Sequence, residues 1–137
     1  MSQTYAKPLP RIDDKNRPFW QATEAGRLTV QRCGACGALR YPFAEICAEC
    51  LSSEADWVEV SGRGTVWSFC TFHRNYFKGF EAEIPYSVVL VRLDEGPRLY
   101  SNLVGVPREQ IRIGMRVKAS FEHVADGVSL VKFKPEV

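Results

Sequence analysis

Four cysteines arranged in two pairs constrain the fold of this chain more than any other feature. Cys33 and Cys36 are separated by two residues, as are Cys47 and Cys50, and ten residues lie between the pairs. Each short spacing lets one tight turn direct two sulfur atoms at the same point, as a tetrahedral metal site requires. The pattern therefore predicts one bound metal ion, and zinc is the ion that such cysteine sets usually hold.

The predicted site has no place for a substrate. All four ligand positions are filled by sulfur, so the ion is expected to be structural and not catalytic. Gly37 follows the second ligand and suits a turn with a positive φ, whereas Leu51 in the matching position suits it less well. Two other readings are a thioredoxin-like redox pair, which needs only one such motif and a βαβ setting, and iron in the same four-sulfur cage.

Length and charge limit the possible functions. The chain has 137 residues, 45% of them hydrophobic, which is enough for one main core. Eighteen Lys and Arg face sixteen Asp and Glu, a net charge of +2 that is too small to indicate a nucleic-acid binder. No stretch is long and apolar enough to span a membrane, and the N-terminus lacks the apolar core of a signal peptide. We therefore expect a cytoplasmic protein without membrane contact, where thiols stay reduced and available to a metal.

The region before the cysteines predicts a short helix and a strand. Asp13 and Asp14 form an acidic N-cap for residues 15–25, and Gly26 is a typical stop. Because so short a helix is unstable alone in water, Phe19 and Trp20 must be buried against another element. Residues 27–32 alternate polar and apolar side chains and predict a strand that leads into Cys33.

The region after the cysteines predicts a β domain. Turn residues separate β-like runs at 57–60, 64–72, 86–93, 98–104, 116–123 and 128–134. Such a series predicts a small barrel of the OB type, with a β-sandwich as the alternative. The expected organisation is an N-terminal extension and helix at 1–27, a metal ribbon at 28–55 and the barrel at 56–137.

Few other residues suggest chemistry. Cys70 and His73 are close in sequence but fall on opposite faces of a strand, so they are not expected to form a nucleophilic pair. Cys70 is predicted to be a buried small hydrophobe because free cysteine is among the most buried residue types. His123 is predicted to be structural or solvated. Without a nucleophile motif, a phosphate loop or a carboxylate pair, an independent enzyme is not expected. Residues 72–80 interleave aromatic and cationic side chains, and they form either a hairpin tip over the barrel or a surface for a partner or ligand.

The order of motifs resembles the zinc-ribbon and OB-fold family known as DUF35. The resemblance covers nearly the whole chain, with a small departure after Tyr41, where the family often shows two prolines and an arginine. It rests on Phe19-Trp20, Gly26-Arg27-Leu28, Gln31 to Gly37, Tyr41-Pro42-Phe43, Cys47 to Cys50, Trp57, Ser61 to Ser68, Pro85-Tyr86, Ile113-Gly114-Met115 and Val117.

This resemblance implies a rubredoxin-like zinc ribbon followed by an OB barrel in a non-catalytic subunit. Family members resemble partners of thiolase-like enzymes, or of hydratases and aldolases that act on CoA thioesters, so a hetero-oligomer is expected. By this analogy the catalytic residues belong to the partner, and a CoA thioester is bound together with it. We assign the CoA contact to four residues of the 72–80 segment, Arg74, Tyr76, Phe77 and Lys78.

Three other functions remain open at this point. OB barrels and zinc ribbons also bind single-stranded nucleic acid, but a strand-binding groove would need a larger excess of cations than this chain has. An iron-loaded cage would be a coloured electron carrier. An isolated acyl-CoA-binding module would bind CoA tightly without a partner.

Overall fold

A computed structural model describes residues 7–76 and 78–136, and within them it contains one α-helix and eight strands. This mostly β architecture with an N-terminal helix confirms the predicted fold class. Two single 3₁₀ turns, Glu81–Glu83 and Arg108–Gln110, lie in the connections. In chain order, the regular elements are α1 Arg17–Glu24, β1 Leu28–Cys33, β2 Leu39–Arg40, β3 Ala55–Val60, β4 Arg63–Phe72, β5 Tyr86–Leu93, β6 Arg98–Ser101, β7 Arg116–Ala125 and β8 Val128–Pro135.

Helix α1 begins two residues later than its acidic residues predict. Asp13 Oδ1 accepts the N–H groups of Lys15 and Asn16, both at 3.0 Å, so this carboxylate closes the turn before the helix. Asn16 is the N-cap, and Pro18 lies in the first helical turn. Proline is tolerated there because an N–H at this position has no partner within the helix. The helix ends at Glu24, and Gly26, the predicted stop, follows with φ +77°. Among the described residues, no helix has the length and apolar character that crossing a membrane requires.

The first sheet is a three-stranded antiparallel ribbon with β1 in the middle. The strand order is β2-β1-β3, and all six residues of β1 pair with β3. Gln31 of β1 is buried, and its Oε1 accepts bonds from Arg40 Nε at 2.8 Å and from the N–H of Ala44 at 3.0 Å. This side chain therefore anchors the segment between the two cysteine pairs to the middle strand.

The second sheet curls into a closed barrel. Its strand order is β6-β5-β4-β7-β8, and all neighbours are antiparallel. A parallel bridge between Leu103 and Phe133 joins the two outer strands, with Val104 N–H donating to Phe133 O at 2.7 Å. Because the sheet closes on itself in this way, the OB-type prediction is confirmed and the sandwich alternative is wrong.

The barrel interior is filled by alternate residues of its strands. The inward positions of β5 and β6 are buried, and Phe133 of β8 is fully buried against them. Gly64 of β4 packs tightly against β5. A Cβ there would stand 2.5 Å from Arg92 O and 2.8 Å from Val91 Cγ1, so only glycine fits.

Helix α1 bridges the ribbon and the barrel. Phe19 is buried, and its ring centroid lies 5.0 Å from that of Trp20, 5.7 Å from Tyr41 and 6.3 Å from Trp57. The expected burial of Phe19 is thereby confirmed, while Trp20 is half-buried. At the end of the helix, Glu24 Oε1 accepts a bond from Ser129 Oγ at 2.5 Å and lies 3.1 Å from His123 Nδ1. The helix is thus tied to β7 and β8.

Candidate functional site

The four cysteines predicted as ligands lie together at the far end of the ribbon. Cys33 ends β1, Cys36 lies in the turn after it, and Cys47 and Cys50 lie in a second turn before β3. Their sulfur atoms are all within 4.8 Å of one another. The Sγ atoms of Cys33 and Cys50 are 3.5 Å apart, and those of Cys36 and Cys47 are 3.7 Å apart.

Each pair sits in a knuckle whose backbone points at a sulfur atom. The N–H of Ala35 donates to Cys33 Sγ at 3.4 Å, and the N–H of Glu49 donates to Cys47 Sγ at 3.4 Å. Gly37 has φ +79°, which confirms the prediction made for it. Leu51 takes the same left-handed conformation, φ +65°, although a leucine is strained there. The second knuckle therefore adopts the conformation of the first despite its less suitable residue.

Backbone N–H groups of the two knuckles contribute to different pKa values among the cysteine thiols. Bonds from the N–H groups of Cys36 and Ala35 lower the pKa of Cys33 to about 6. The N–H groups of Cys50 and Glu49 likewise lower the pKa of Cys47. At Cys50 the N–H of Ser52 acts to lower the pKa, but the bond to Cys33 and burial outweigh it and raise that pKa to about 12. Four thiolates so close together require a cation to offset their repulsion.

The sulfur spacing fits a tetrahedral zinc ion. With a zinc–sulfur bond of about 2.3 Å, neighbouring sulfur atoms of a regular tetrahedron lie about 3.8 Å apart. The two sulfur–sulfur distances of 3.5 and 3.7 Å are close to that value. The four cysteines are thus in a metal-binding arrangement, and all four corners are occupied by protein sulfur.

The segment predicted to contact CoA lies at one end of the barrel, between β4 and β5. Arg74, Tyr76 and Lys78 are exposed, and the Arg74 guanidinium lies 5.8 Å from the Tyr76 ring centroid. Phe77 lies outside the described residues. The structure thus brings Arg74 and Tyr76 together, while the CoA assignment itself stays a prediction.

Aromatic rings connect this segment to the strands. Tyr86 of β5 stacks on Phe72 with a centroid distance of 5.3 Å, and Phe80 lies 5.4 Å from Tyr86 on another side. Tyr76 meets Phe72 edge-on at 5.9 Å. The segment therefore rests on a packed aromatic base and presents its cationic side chains outward.

A groove of about 470 Å³ opens beside these rings, and sequence reasoning did not find it. Its polar residues include Lys132, whose Nζ donates to Asn102 Oδ1 at 2.8 Å, while Asn102 Nδ2 donates to Ser87 O at 2.7 Å. Burial lowers the pKa of Lys132. A lysine within the apolar β8 segment was a visible signal, but its neighbours come from distant parts of the chain.

The prediction that Cys70 is buried is wrong. Cys70 is exposed. The reason is a β-bulge between Val66 and Ser68, which shifts the register of β4 against β5. Beyond the bulge the odd-numbered residues face inward, as the 2.8 Å hydroxyl contact between Thr71 and the buried Ser87 shows. His73 is exposed, and His123 is the partner of Glu24 described above.

The fold and the site place this chain in one class of proteins, in which a four-cysteine ribbon is joined to a closed five-stranded barrel. Two family models match consecutive parts of the chain: "ChsH2, rubredoxin-like zinc ribbon domain" over residues 20–56, and "ChsH2, C-terminal OB-fold domain" over residues 57–122. The chain belongs to this zinc-ribbon and OB-fold family, DUF35, as its relatives also show.

Two curated relatives differ in how much of their length the chain matches. A DUF35 domain-containing scaffold protein of Methanocaldococcus jannaschii is 35% identical over 76% of this chain and 78% of its own length. A probable enoyl-CoA hydratase alpha subunit of Thermomonospora curvata is 39% identical over 96% of this chain. The chain spans only 40% of that alpha subunit.

One solved structure covers almost the whole chain. It is described as "Ltp2-ChsH2(DUF35) aldolase", and it superposes with a TM-score of 0.82 at 39% identity. The match covers 94% of this chain and 100% of the other. The ribbon and barrel of the present chain therefore occur together in that protein as well.

Proposed function

We propose that this chain is a non-catalytic subunit that binds an enzyme acting on CoA thioesters and helps to form or stabilise its acyl-CoA site. The observation that carries this proposal is the closed four-sulfur centre of the ribbon, in a chain that also exposes an aromatic and cationic segment on its barrel. A metal site whose four corners are all protein sulfur has no position for substrate or water. Chemistry is therefore assigned to another polypeptide.

The names of the relatives support the kind of partner. One relative is a probable hydratase alpha subunit, one is a DUF35 domain-containing scaffold protein, and the solved structure is named an aldolase. The partner we propose is accordingly a hydratase, an aldolase or a thiolase-like enzyme in a hetero-oligomer. Its proposed compartment is the cytoplasm, where the four ligand thiols stay reduced.

Zinc is the ion we propose for the ribbon, held by Cys33, Cys36, Cys47 and Cys50. Elemental analysis of the purified chain should then find about one zinc atom per chain, because four thiolates favour zinc in cells. A red protein with stoichiometric iron would instead make the ribbon an electron-transfer centre.

For the CoA contact, we propose the exposed segment around Arg74 and Tyr76. The cations Arg74 and Lys78 would pair with phosphate groups, and the exposed Tyr76 ring, together with Phe77, would stack on the base. The adjacent groove, with its half-buried Lys132, leaves room for the remainder of the ligand beside the partner.

We also propose that the chain divides into an extension and helix at 1–27, a ribbon at 28–55 and a barrel at 56–137. Strand β3 lies across the second of these boundaries and pairs with β1. Limited proteolysis tests the division, since cleavage should concentrate near both boundaries once the metal is removed.

The proposed function is tested by capture and reconstitution. Tagged chain is used to capture its partner from the native extract, the main protein recovered is identified by mass spectrometry, and the two are purified and recombined. We expect a hydratase, aldolase or thiolase-like subunit whose turnover of its CoA thioester rises with this chain present. Turnover by the isolated chain, or recovery of RNA and ribosomal proteins alone, would contradict the proposal.

The CoA contact is tested on the recombined complex. Replacing both Arg74 and Lys78 by alanine should weaken CoA-thioester affinity about tenfold or more, because charge-assisted bonds to phosphate are lost. The matched control replaces Arg32 and Lys134, which are also exposed, by alanine. Equal affinity of both double variants would reject the CoA assignment while leaving the subunit role intact.

A further inference from the structure

The outer face of β4, β5 and β6 gathers large side chains beside the bulge in β4, and all of them except the half-buried Leu90 are exposed. We call Trp67, Leu90, Arg92, Arg98 and Tyr100 the arginine face. Residues 89, 91, 93, 99 and 101 of β5 and β6 are buried, so the residues between them point outward. Register pairs Arg92 with Arg98 and Leu90 with Tyr100. These side chains therefore share one surface of the barrel.

Two guanidinium groups meet at one indole ring on this face. Arg92 lies 5.3 Å and Arg98 lies 5.6 Å from the Trp67 ring centroid. Trp67 is 47% exposed and Tyr100 is 74% exposed. Exposed Trp, Tyr and Arg are the residue types that most often anchor protein interfaces.

The neighbouring carboxylates are engaged elsewhere. Asp94 accepts two bonds from Arg116, at 2.7 and 2.9 Å, and Glu95 accepts the N–H of Ser61 at 2.8 Å. Within the described part of the chain, neither Arg92 nor Arg98 has a carboxylate oxygen within 4.0 Å, whereas Arg63 and Arg116 each do. Arg92 and Arg98 thus lie opposite each other on neighbouring strands, and neither is paired with a carboxylate of the described chain.

In the isolated chain, the contacts of both arginines with the Trp67 ring are opposed by the repulsion between the two charges. Like charges directly opposite each other on neighbouring strands are destabilising. The opposed arginines become favourable once a surface bearing carboxylates covers them, because Arg pairs with carboxylates in two-bond geometry. The arginine face also continues along the same outer strand face to Tyr86 and Phe72, on which the proposed CoA segment rests.

We propose that the arginine face docks on a carboxylate-bearing patch of the enzyme subunit that this chain accompanies. The inference rests on the proposed function and adds to it the contact surface and the chemistry of the partner's surface. Arg92 and Arg98 take the carboxylates, and the Trp67 and Tyr100 rings cover the apolar surroundings. This contact orients the chain so that the segment at residues 72–80 lies at the edge of the interface.

The test measures the affinity of the purified chain for the enzyme subunit recovered in the capture experiment. Replacing both arginines, Arg92→Gln with Arg98→Gln, should weaken binding about tenfold or more and flatten its dependence on salt. The same variant should melt close to the wild-type temperature, because removal of the like-charge contact offsets the loss of the two contacts with the Trp67 ring. A merely structural role for the two arginines would lower the melting temperature and leave the affinity unchanged.

Lys118→Gln with Lys134→Gln is the matched control. These two lysines are exposed and pair in register on β7 and β8, so the control removes the same charge from another face. It should keep wild-type affinity. Trp67→Ala should weaken binding, and exchange of amide hydrogens in residues 65–70 and 88–100 should slow in the complex.

Three other outcomes would contradict the proposed docking surface. If the wild-type chain binds no such enzyme, the proposed function and the docking surface fail together. If it binds and the arginine variant binds equally well, only the docking surface fails. Binding of adenosine 3′,5′-bisphosphate to the isolated chain that depends on both arginines, with unchanged enzyme affinity, would make the face a nucleotide site instead.

Discussion

The ribbon and the barrel of this chain are stabilised in different ways. In the ribbon, the two knuckles contribute few buried side chains, and four sulfur atoms converge within 4.8 Å. In the barrel, closure by the bridge from Leu103 to Phe133 surrounds a core of buried aliphatic residues. We therefore expect the stability of the ribbon to depend on metal binding, and that of the barrel to depend on burial of apolar surface.

The difference shows how sequence distance limits each kind of stabilisation. The metal ligands lie within eighteen residues of one another, so local turns suffice to bring them together. The contacts that close the barrel join residues thirty positions apart, for example Leu103 with Phe133 and Ser101 Oγ with Val131 O at 2.7 Å. The hydrophobic core runs from Leu28 and Val30 of β1 into the barrel, so we expect loss of metal to act mainly on the cysteine knuckles and a barrel cavity to act mainly on the barrel.

Loss of the metal should have the largest effect. Metal binding by such a cysteine set is worth on the order of 10 kcal/mol, so Cys47→Ser or a strong chelator should unfold the ribbon. Amide exchange in β1 and β3 should become fast while β5 and β7 stay protected. Cys70→Ser is the control and should retain full metal content. A ribbon that stays protected without metal would contradict the comparison.

A cavity in the barrel core should have the second largest effect, and this effect should fall on the barrel. Phe133 is fully buried at the barrel closure, so Phe133→Ala should cost about 3–5 kcal/mol of unfolding free energy. The denaturant midpoint measures the loss, and elemental analysis should still find bound metal. Leu51→Ala, at an exposed position, serves as the control with little change in the barrel. Metal loss in the Phe133 variant would show that the two units are not independent.

Loss of the hydrogen bond between Glu24 of the helix and Ser129 of the barrel should have the smallest effect. It should be visible in how the melting temperature depends on pH. The Ser129 hydroxyl, and then His123, hold the pKa of Glu24 below its ordinary value of 4.5. Stabilisation from this carboxylate is therefore fully present above pH 4.5 and is lost as pH falls through the lower folded pKa. Glu24→Gln should flatten the fall in melting temperature below that pH.

Glu54→Gln provides the comparison for that measurement, because the Glu54 side chain is exposed and distant in sequence from the helix. It should leave the acid limb of the melting curve unchanged. An identical acid limb for wild type and the Glu24 variant would mean that the bond to Ser129 contributes nothing to the attachment of the helix.

Much of the architecture could be predicted because its signals are local. The cysteine spacing, Gly37 and the strand pattern from β4 to β8 agree with the structure. Cys70 was predicted to be buried from its residue type alone, whereas a single extra residue in β4 turns it to the surface, and the sequence around Trp67 does not indicate this bulge. The groove around Lys132 was missed because its walls come from β5, β7, β8 and the N-terminal segment.

By itself, the amino-acid sequence determined the metal ligands, the order of ribbon and barrel, and the family. Short spacings and strand periodicity encode these features directly. Only the tertiary structure decided which side chains share a surface, including the opposed Arg92 and Arg98 around Trp67. The reason is that barrel closure and strand register arise from contacts between distant segments, and a shift of one residue turns a side chain from the core to the surface.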